Sequence, residues 1–243
     1  MAKERILIQG SSWTVGAYVK SSTLNSDDLV PGSIAELLAD DYDVVNISIR
    51  DDFNLGSWTR LKQHLDQDNN YSKILVCQND PLRDLCILRN DDYAWRQQFG
   101  WTIDELFLKD IDSITKLIHF LLDKFYSNLN STGIPTYVFA GPSQVVPDLM
   151  YNLHPIIPSW TEVVVPGYTG SIIETSSELD YARELLMRLF PGNSKIIKTE
   201  FINYADRIST LIKTWQTQPE LFAYHHPTAR GNQLFYNHIR KSL

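Results

Sequence analysis

The chain has 243 residues, of which 43% are hydrophobic and 21% are charged, as is ordinary for a globular protein. Its net charge of -7 argues against a broad surface for nucleic acid or for an anionic membrane. Two cysteines, Cys77 and Cys86, are too few for a disulfide framework and have no zinc-binding spacing. We expect Cys77, which falls inside an apolar run, to be an inert buried thiol.

The start of the chain runs directly into an apolar segment without a signal-peptide hydrophobic region, and no apolar run approaches transmembrane length. We therefore expect a soluble protein that is made in the cytoplasm, whose final location stays open. We expect no membrane insertion and no nucleic-acid partner.

Strand-like and helix-like segments alternate along the chain. Continuous apolar runs without polar alternation are typical of strands buried on both faces. The predicted strands are residues 6–8, 42–48, 73–79, 134–140 and 194–199. The predicted helices are residues 31–40, a helix that opens from a turn at 51–58 and carries Leu61 and Leu65, 111–126, 178–190, 205–215 and about 228–240.

Three segments lack a clear helix or strand pattern. Residues 19–29 are polar and predict a surface loop, and residues 142–175 are rich in proline and predict loops with short extended pieces. Residues 81–110 predict an insertion, or a long and partly helical lid, over one end of the sheet. We interpret the whole chain as one three-layer α/β/α domain around a parallel sheet of about five strands.

Four polar or small residues stand near predicted strand ends or before the last helix. Ser12 follows the first strand, Gly56 lies in the turn after the second, Asn79 ends the third, and His226 precedes the final helix. Because the carboxyl ends of parallel strands face one edge of the sheet, the four can converge there. Each residue alone is more typical of an ordinary turn or cap, and the ordered set is what favours a site.

This ordered set resembles the four sequence blocks of the SGNH or GDSL-type hydrolases, over residues 6–240. The blocks are Gly10-Ser11-Ser12 after the first strand, Gly56 after the second, Cys77-Gln78-Asn79-Asp80 after the third, and Ala223-Tyr224-His225-His226-Pro227 before the last helix. The continuation Thr228-Ala229-Arg230-Gly231-Asn232 also looks like the family's entry into that helix. The resemblance implies a flavodoxin-like α/β/α fold.

The resemblance also implies a serine esterase that needs no metal and no cofactor. Ser12 would be the nucleophile and His226 the general base, with His225 as a weaker rival. The backbone N–H groups of Ser12 and Gly56 and the side chain of Asn79 would form the oxyanion hole. The substrate would be a small-molecule or glycan ester, and removal of acetyl groups from a carbohydrate is one option.

Three positions depart from the family pattern. Ser11 stands where the family has Asp, Cys77 where it usually has Gly, and Ala223 where it has the acid of the triad. Acidic residues in the 81–110 and 142–175 segments are alternative sources of a carboxylate. The departures favour a second hypothesis, in which the fold is catalytically impaired and serves as a binding or assembly module for an unidentified protein partner.

Overall fold

A five-stranded parallel sheet forms the centre of the fold. In the computed structural model, the described residues are 3–16, 32–49, 53–79, 84, 111–141, 144–165, 217–223 and 226–243. The strands of the sheet are β1 (Arg5–Gln9), β2 (Asp43–Asn46), β3 (Lys73–Gln78), β4 (Thr136–Ala140) and β5 (His154–Pro155). Their order across the sheet is β2-β1-β3-β4-β5, and every neighbouring pair is parallel. The predicted parallel sheet is thereby confirmed.

Helices lie on both faces of this sheet. Those in the described ranges are α1 (Ser12–Val15), α2 (Ile34–Ala39), α3 (Asn54–Leu65), α4 (Ile111–Asn130), α5 (Trp160–Val164) and α6 (Ala229–Ile239). A short 3-10 turn covers Pro147–Leu149. None of these helices is both long enough and apolar enough to cross a membrane.

The alternation of side chains along the strands separates the two faces. One face sends its side chains into a continuous buried cluster with α1, α2, α5 and α6, which includes Ile6, Ile8, Leu75, Cys77, Phe139, Trp13, Ile34, Trp160 and Phe235. Trp160 and Phe235 stack at the centre of that cluster, with ring centroids 4.5 Å apart. On the other face α3 contacts α4. The fold is therefore a three-layer α/β/α arrangement.

Several element boundaries differ from those expected from the sequence. The fifth described strand is β5, inside the segment predicted to be rich in loops. It is only two residues long and contains Pro155, which an edge strand tolerates because one side of its backbone needs no partner in the sheet. Helix α4 is confirmed, with Leu121, Leu122 and Phe125 of its apolar stripe buried, and it extends to Asn130.

Other predicted elements lie outside the described residues. They are the loop at 19–29, the start of the first helix at Pro31, the helices at 178–190 and 205–215, the strand at 194–199, and the insertion at 81–110 apart from Asp84.

A two-stranded antiparallel hairpin precedes the last helix and was not predicted. It consists of β6 (Phe222–Ala223) and β7 (His226–Pro227). The Thr228 N–H donates to Leu221 O at 2.9 Å, and the Thr228 hydroxyl accepts from the Gly231 N–H to cap α6. A Cβ added at Gly231 would lie 2.4 Å from Leu221 O, so glycine permits the hairpin to pack directly on α6.

A buried hydrogen-bond network ties the end of β3 to the segment after β4. The Tyr126 hydroxyl donates to Gln78 Oε1 and accepts from the Val146 N–H at 3.2 Å, and Gln78 Nε2 donates to Gln144 O at 2.9 Å. Burial raises the pKa of Tyr126 well above its ordinary value, so the hydroxyl keeps its proton and remains a donor. The network fixes the backbone just before Asn79.

We expect Tyr126→Phe to lower the free energy of unfolding by about 1–3 kcal/mol, because it leaves buried polar groups of Gln78 and Val146 without a partner. Urea denaturation followed by circular dichroism measures this loss. The control is Tyr151→Phe, since Tyr151 is 79% exposed, and it should change stability by less than about 0.5 kcal/mol. Equal stability of the two variants would contradict a structural role for the network.

Candidate active site

Ser12 stands at the junction between β1 and α1. The carbonyl of Ser11 accepts hydrogen bonds from the N–H groups of Thr14 and Val15 at 3.0 and 3.1 Å, which turns the chain from strand to helix directly after Gly10. Helix α1 ends at Val15 and is capped by Gly16, whose φ of 75° is left-handed and favours glycine. Ser12 is therefore the first residue of a short helix at the carboxyl edge of the sheet, and only 7% of its surface is exposed.

Gly10 permits β1 to pass close to β3 at this turn. A Cβ added there would lie 2.6 Å from Cys77 Cβ and 2.6 Å from Thr14 Oγ1. Because Cys77 Cβ is attached to the strand backbone, it has no freedom to move aside. Cys77 is buried as expected, and its side chain helps to define the floor beneath the turn.

The structure places the side chains of Ser12 and His226 in direct contact. Ser12 Oγ and His226 Nε2 lie 2.7 Å apart, although the residues are 214 positions apart in the chain. His226 lies in β7, where the register of the hairpin pairs it with Ala223. The contacts of Leu221 pack the hairpin against α6. The strand that bears the His226 imidazole is therefore held in place by α6.

The aromatic residue after Ser12 packs against this imidazole. The rings of Trp13 and His226 have centroids 6.1 Å apart, and Trp13 also meets the edge of Trp160 at 5.3 Å. A Cβ added at Gly141 would come within 3.0 Å of the Trp13 ring, which shows how tightly the indole is held. Trp13 thus joins the serine turn, the hairpin and the core. Sequence reasoning did not identify this role, because an aromatic residue in a turn carries no distinct signal.

Asn79 follows β3 directly and is fully buried. Its Nδ2 is assigned as a donor to Ser57 Oγ at 3.3 Å, and its Oδ1 has no hydrogen-bond partner in the described part of the chain. The amide can be rotated by 180°, because its two ends have nearly the same shape. Oδ1 then accepts from the Ser57 hydroxyl, and Nδ2 takes the position of the oxygen that had no partner. Asn79 therefore has one polar side-chain atom with no partner among the described residues.

Two further residues organise the region around Asn79. The side chain of Asn54, at the start of α3, bonds both the N–H and the carbonyl of Asn79, and it also donates to Asp84 Oδ2. Asp84 Oδ1 accepts from the Leu55 N–H in the first turn of α3. Sequence reasoning assigned no role to Asn54 and did not single out Asp84. Asn54 is an asparagine at a predicted helix opening, and Asp84 is one of six acidic residues in the 81–110 segment, so neither carried a distinct local signal.

The sequence predicted Gly56 in a turn between elements. In the structure, Gly56 instead lies in the first helical turn of α3. Helix α3 begins at Asn54 because Asp84 satisfies a backbone N–H group there, and that capping from a distant segment was not visible in the local sequence. Asn54 and Ser57, on either side of Gly56 in this helical turn, are both hydrogen-bonded to Asn79, so Gly56 is held near Asn79.

Two other histidines in the described ranges are exposed. His119 is exposed on α4, and His154 is exposed on β5, stacked on Tyr137 at 4.7 Å. His225 and Asp80 lie outside the described residues. Within the described ranges, no group of three or more His, Cys, Asp or Glu side chains is arranged to hold a metal ion.

Comparison with known proteins gives matches among solved structures alone. No family model and no curated protein matches the chain. The matching structures include TesA, with 15% identity, a TM-score of 0.37, and 80% of this chain and 99% of that chain covered. The esterase EstA from Pseudoalteromonas sp. has 14% identity and a TM-score of 0.42, with 99% and 98% covered. LAE5, an alpha/beta hydrolase from the metagenome of Lake Arreo, Spain, has 10% identity and a TM-score of 0.44, with 100% and 96% covered. At this low similarity, the function has to be argued from the site itself.

We expect Gly10→Ala to lower the free energy of unfolding by about 1–3 kcal/mol, because the added methyl group overlaps Cys77 Cβ. Thermal or urea denaturation measures the loss. Adding Thr14→Ala should leave most of the loss in place, since that change removes the contacts with Thr14 Oγ1 and Cγ2 but not the overlap with Cys77 Cβ. A Gly10→Ala protein as stable as the wild type would contradict the close approach of β1 and β3.

Proposed function

We propose that this protein is a serine-dependent ester hydrolase in which Ser12 is the nucleophile and His226 the general base. The observation that carries the proposal is the 2.7 Å contact between Ser12 Oγ and His226 Nε2. A serine hydroxyl is a weak nucleophile until an adjacent base takes its proton, and this distance is within the range that such a transfer needs.

The reaction has two halves. In the first, Nε2 of the neutral imidazole takes the hydroxyl proton while Oγ attacks the ester carbonyl, and the imidazolium then returns that proton to the departing alcohol. In the second, the imidazole takes a proton from water, the hydroxide attacks the acyl-Ser12 ester, and Ser12 recovers its proton as the acid leaves. Both halves use the same two side chains and need no co-reactant except water.

The negative charge that develops on the carbonyl oxygen would be stabilised by three donors. In the strand order 2-1-3-4-5, ligands bind at the switch point between β1 and β3, and Ser12 and Asn79 follow those two strands. The N–H groups of Ser12 and Gly56 lie in the first turns of α1 and α3, where backbone donors have no acceptor within the helix. The rotated amide of Asn79 supplies the third donor.

The pair works without a carboxylate at the position that faces His226 across the hairpin, because that position is Ala223. The carboxylate of a triad holds the imidazole in orientation and stabilises its protonated form, and its loss lowers kcat by about 10⁴ in a well-studied serine protease. Here the hairpin and the Trp13 ring contribute to the orientation.

A groove whose lining includes neither Ser12 nor His226 lies elsewhere on the fold. It has a volume of about 560 Å³ and lies between the segments that follow β4 and β5, lined by Gln144, Val145, Pro147, Ile157, Pro158, Ser159 and Glu162. Its polar groups are already engaged, since Gln144 Nε2 donates to Glu162 Oε1 at 3.1 Å and the Ser159 N–H donates to Glu162 Oε2 at 2.7 Å. The proposed substrate class, a small-molecule or glycan ester, rests on the Ser12–His226 pair and not on this groove.

Ala223 is also the observation that favours a second candidate function, a binding or assembly module on a hydrolase-like fold. In that case the Ser12–His226 contact would be a structural remnant. The two candidates differ in what Ser12→Ala does to the protein.

We expect Ser12→Ala to lower hydrolysis of a short-chain chromogenic ester by at least about a thousandfold, since the nucleophile is lost. The matched control is Ser11→Ala, which removes a neighbouring buried hydroxyl that has no hydrogen-bond partner among the described residues. Its rate should stay within a few-fold of the wild type.

Circular dichroism and thermal denaturation of both variants establish that the fold is retained. Equal rates for the wild type and Ser12→Ala, or an absence of hydrolysis in the wild type, would contradict the esterase proposal and favour the binding module.

A further inference from the structure

We propose that Asn54 is a positioning residue that holds the donors of the oxyanion hole in register, by clamping the backbone of Asn79 to the start of α3. The inference rests on the proposed ester hydrolysis, because it assigns a role in that reaction. Asn54 belongs to neither of the two strand ends at the switch point, and its own side chain is not proposed to touch the substrate.

The clamp is a two-point pairing between a side-chain amide and a peptide backbone. The Asn79 N–H donates to Asn54 Oδ1 at 2.8 Å, and Asn54 Nδ2 donates to Asn79 O at 3.0 Å. Two such bonds to one residue fix its position and also its rotation. The side chain of Asn79 projects from the backbone that is held in this way, so the clamp sets the direction of its amide.

A third bond fixes the clamp itself. The second N–H of Asn54 Nδ2 donates to Asp84 Oδ2 at 2.9 Å, while Asp84 Oδ1 accepts from the Leu55 N–H at 2.9 Å. Asn54, Asn79 and Asp84 are 2%, 0% and 3% exposed. Because the interior offers no water as a substitute partner, loss of any member leaves polar groups without bonds, and the network holds one geometry.

The Asn54 side chain also positions the Gly56 N–H, which is the proposed oxyanion-hole donor on α3. Gly56 lies two residues after Asn54 in the first turn of α3. Holding Asn54 to Asn79 therefore fixes the distance between the Gly56 N–H and the Asn79 amide. Only an asparagine at position 54 supplies one acceptor and two donors at this reach, whereas aspartate would place carboxylate oxygens against Asn79 O and Asp84.

The test compares steady-state hydrolysis of p-nitrophenyl acetate by the wild type, Asn54→Ala, Asn79→Ala and the double variant. We expect Asn54→Ala to lower kcat by about tenfold or more with KM changed less than threefold, since a misplaced donor acts in the transition state. Asn79→Ala should cost about 10²–10³ in kcat in the wild type and less than about tenfold in the Asn54→Ala protein, because coupled groups are not additive.

The control is Leu61→Ala, a fully buried position seven residues after Asn54 on the same helix. It should lower Tm at least as much as Asn54→Ala and leave kcat within about twofold. Asp84→Asn removes one of the two carboxylate acceptors and should disturb folding less than Asn54→Ala does. If Asn54→Ala does not fold, Asp84→Asn tests the positioning role in its place, and it should also lower kcat.

Amide hydrogen exchange provides a readout that does not depend on activity. The Asn79 N–H should exchange at least tenfold faster in Asn54→Ala, while the amides of β3 before Gln78 keep their protection. Unchanged exchange at Asn79, an unchanged kcat in Asn54→Ala, or full additivity of the two substitutions would overturn the proposal.

The Ser12→Ala protein separates the two ideas. If wild-type hydrolysis does not depend on Ser12, the proposed function fails and the catalytic role of Asn54 falls with it. If hydrolysis depends on Ser12 but not on Asn54, only the positioning role is overturned.

Discussion

The pairing of β1 with β3 is the constraint on which the site depends. Their register brings Gln9 beside Val76, so that the turn after β1 and the turn after β3 leave the sheet side by side. Gly10 permits this closeness because any side chain there would overlap Cys77. The topological switch of the sheet falls between the same two strands. The close packing of β1 against β3 therefore forms the crevice and brings Ser12 and Asn79 to its edge.

Two distant segments complete the arrangement. The hairpin of β6 and β7 brings His226 to Ser12 and is braced by the glycine contact between Gly231 and Leu221. On the other side, Asp84 caps α3 and holds Asn54, which in turn holds Asn79. The serine side and the asparagine side are thus stabilised by independent contacts. A change in either one is expected to affect chemistry more than it affects the fold.

The sequence predicted the parallel sheet and the long helix α4, because apolar runs are local signals. It also proposed Ser12 and His226 for one site, and their side chains are in contact. It did not predict β5, whose two residues include a proline, or the hairpin that carries His226, because neither has a strand pattern. The sequence predicted Gly56 in a turn, because the start of its helix depends on a hydrogen bond from the Leu55 N–H to Asp84 in another segment. The Asn54 clamp depends on contacts 25 and 30 residues away, which no local pattern encodes.

Activation of Ser12 by His226 can be tested by reaction with a fluorophosphonate, because such a reagent forms a covalent bond with an activated serine and requires no knowledge of the substrate. Peptide mapping by mass spectrometry locates the adduct. We expect one adduct on Ser12 in the wild type and its loss in His226→Gln, while His119→Gln, an exposed position on α4, labels normally. Absence of an adduct on Ser12, or equal labelling of His226→Gln, would contradict it.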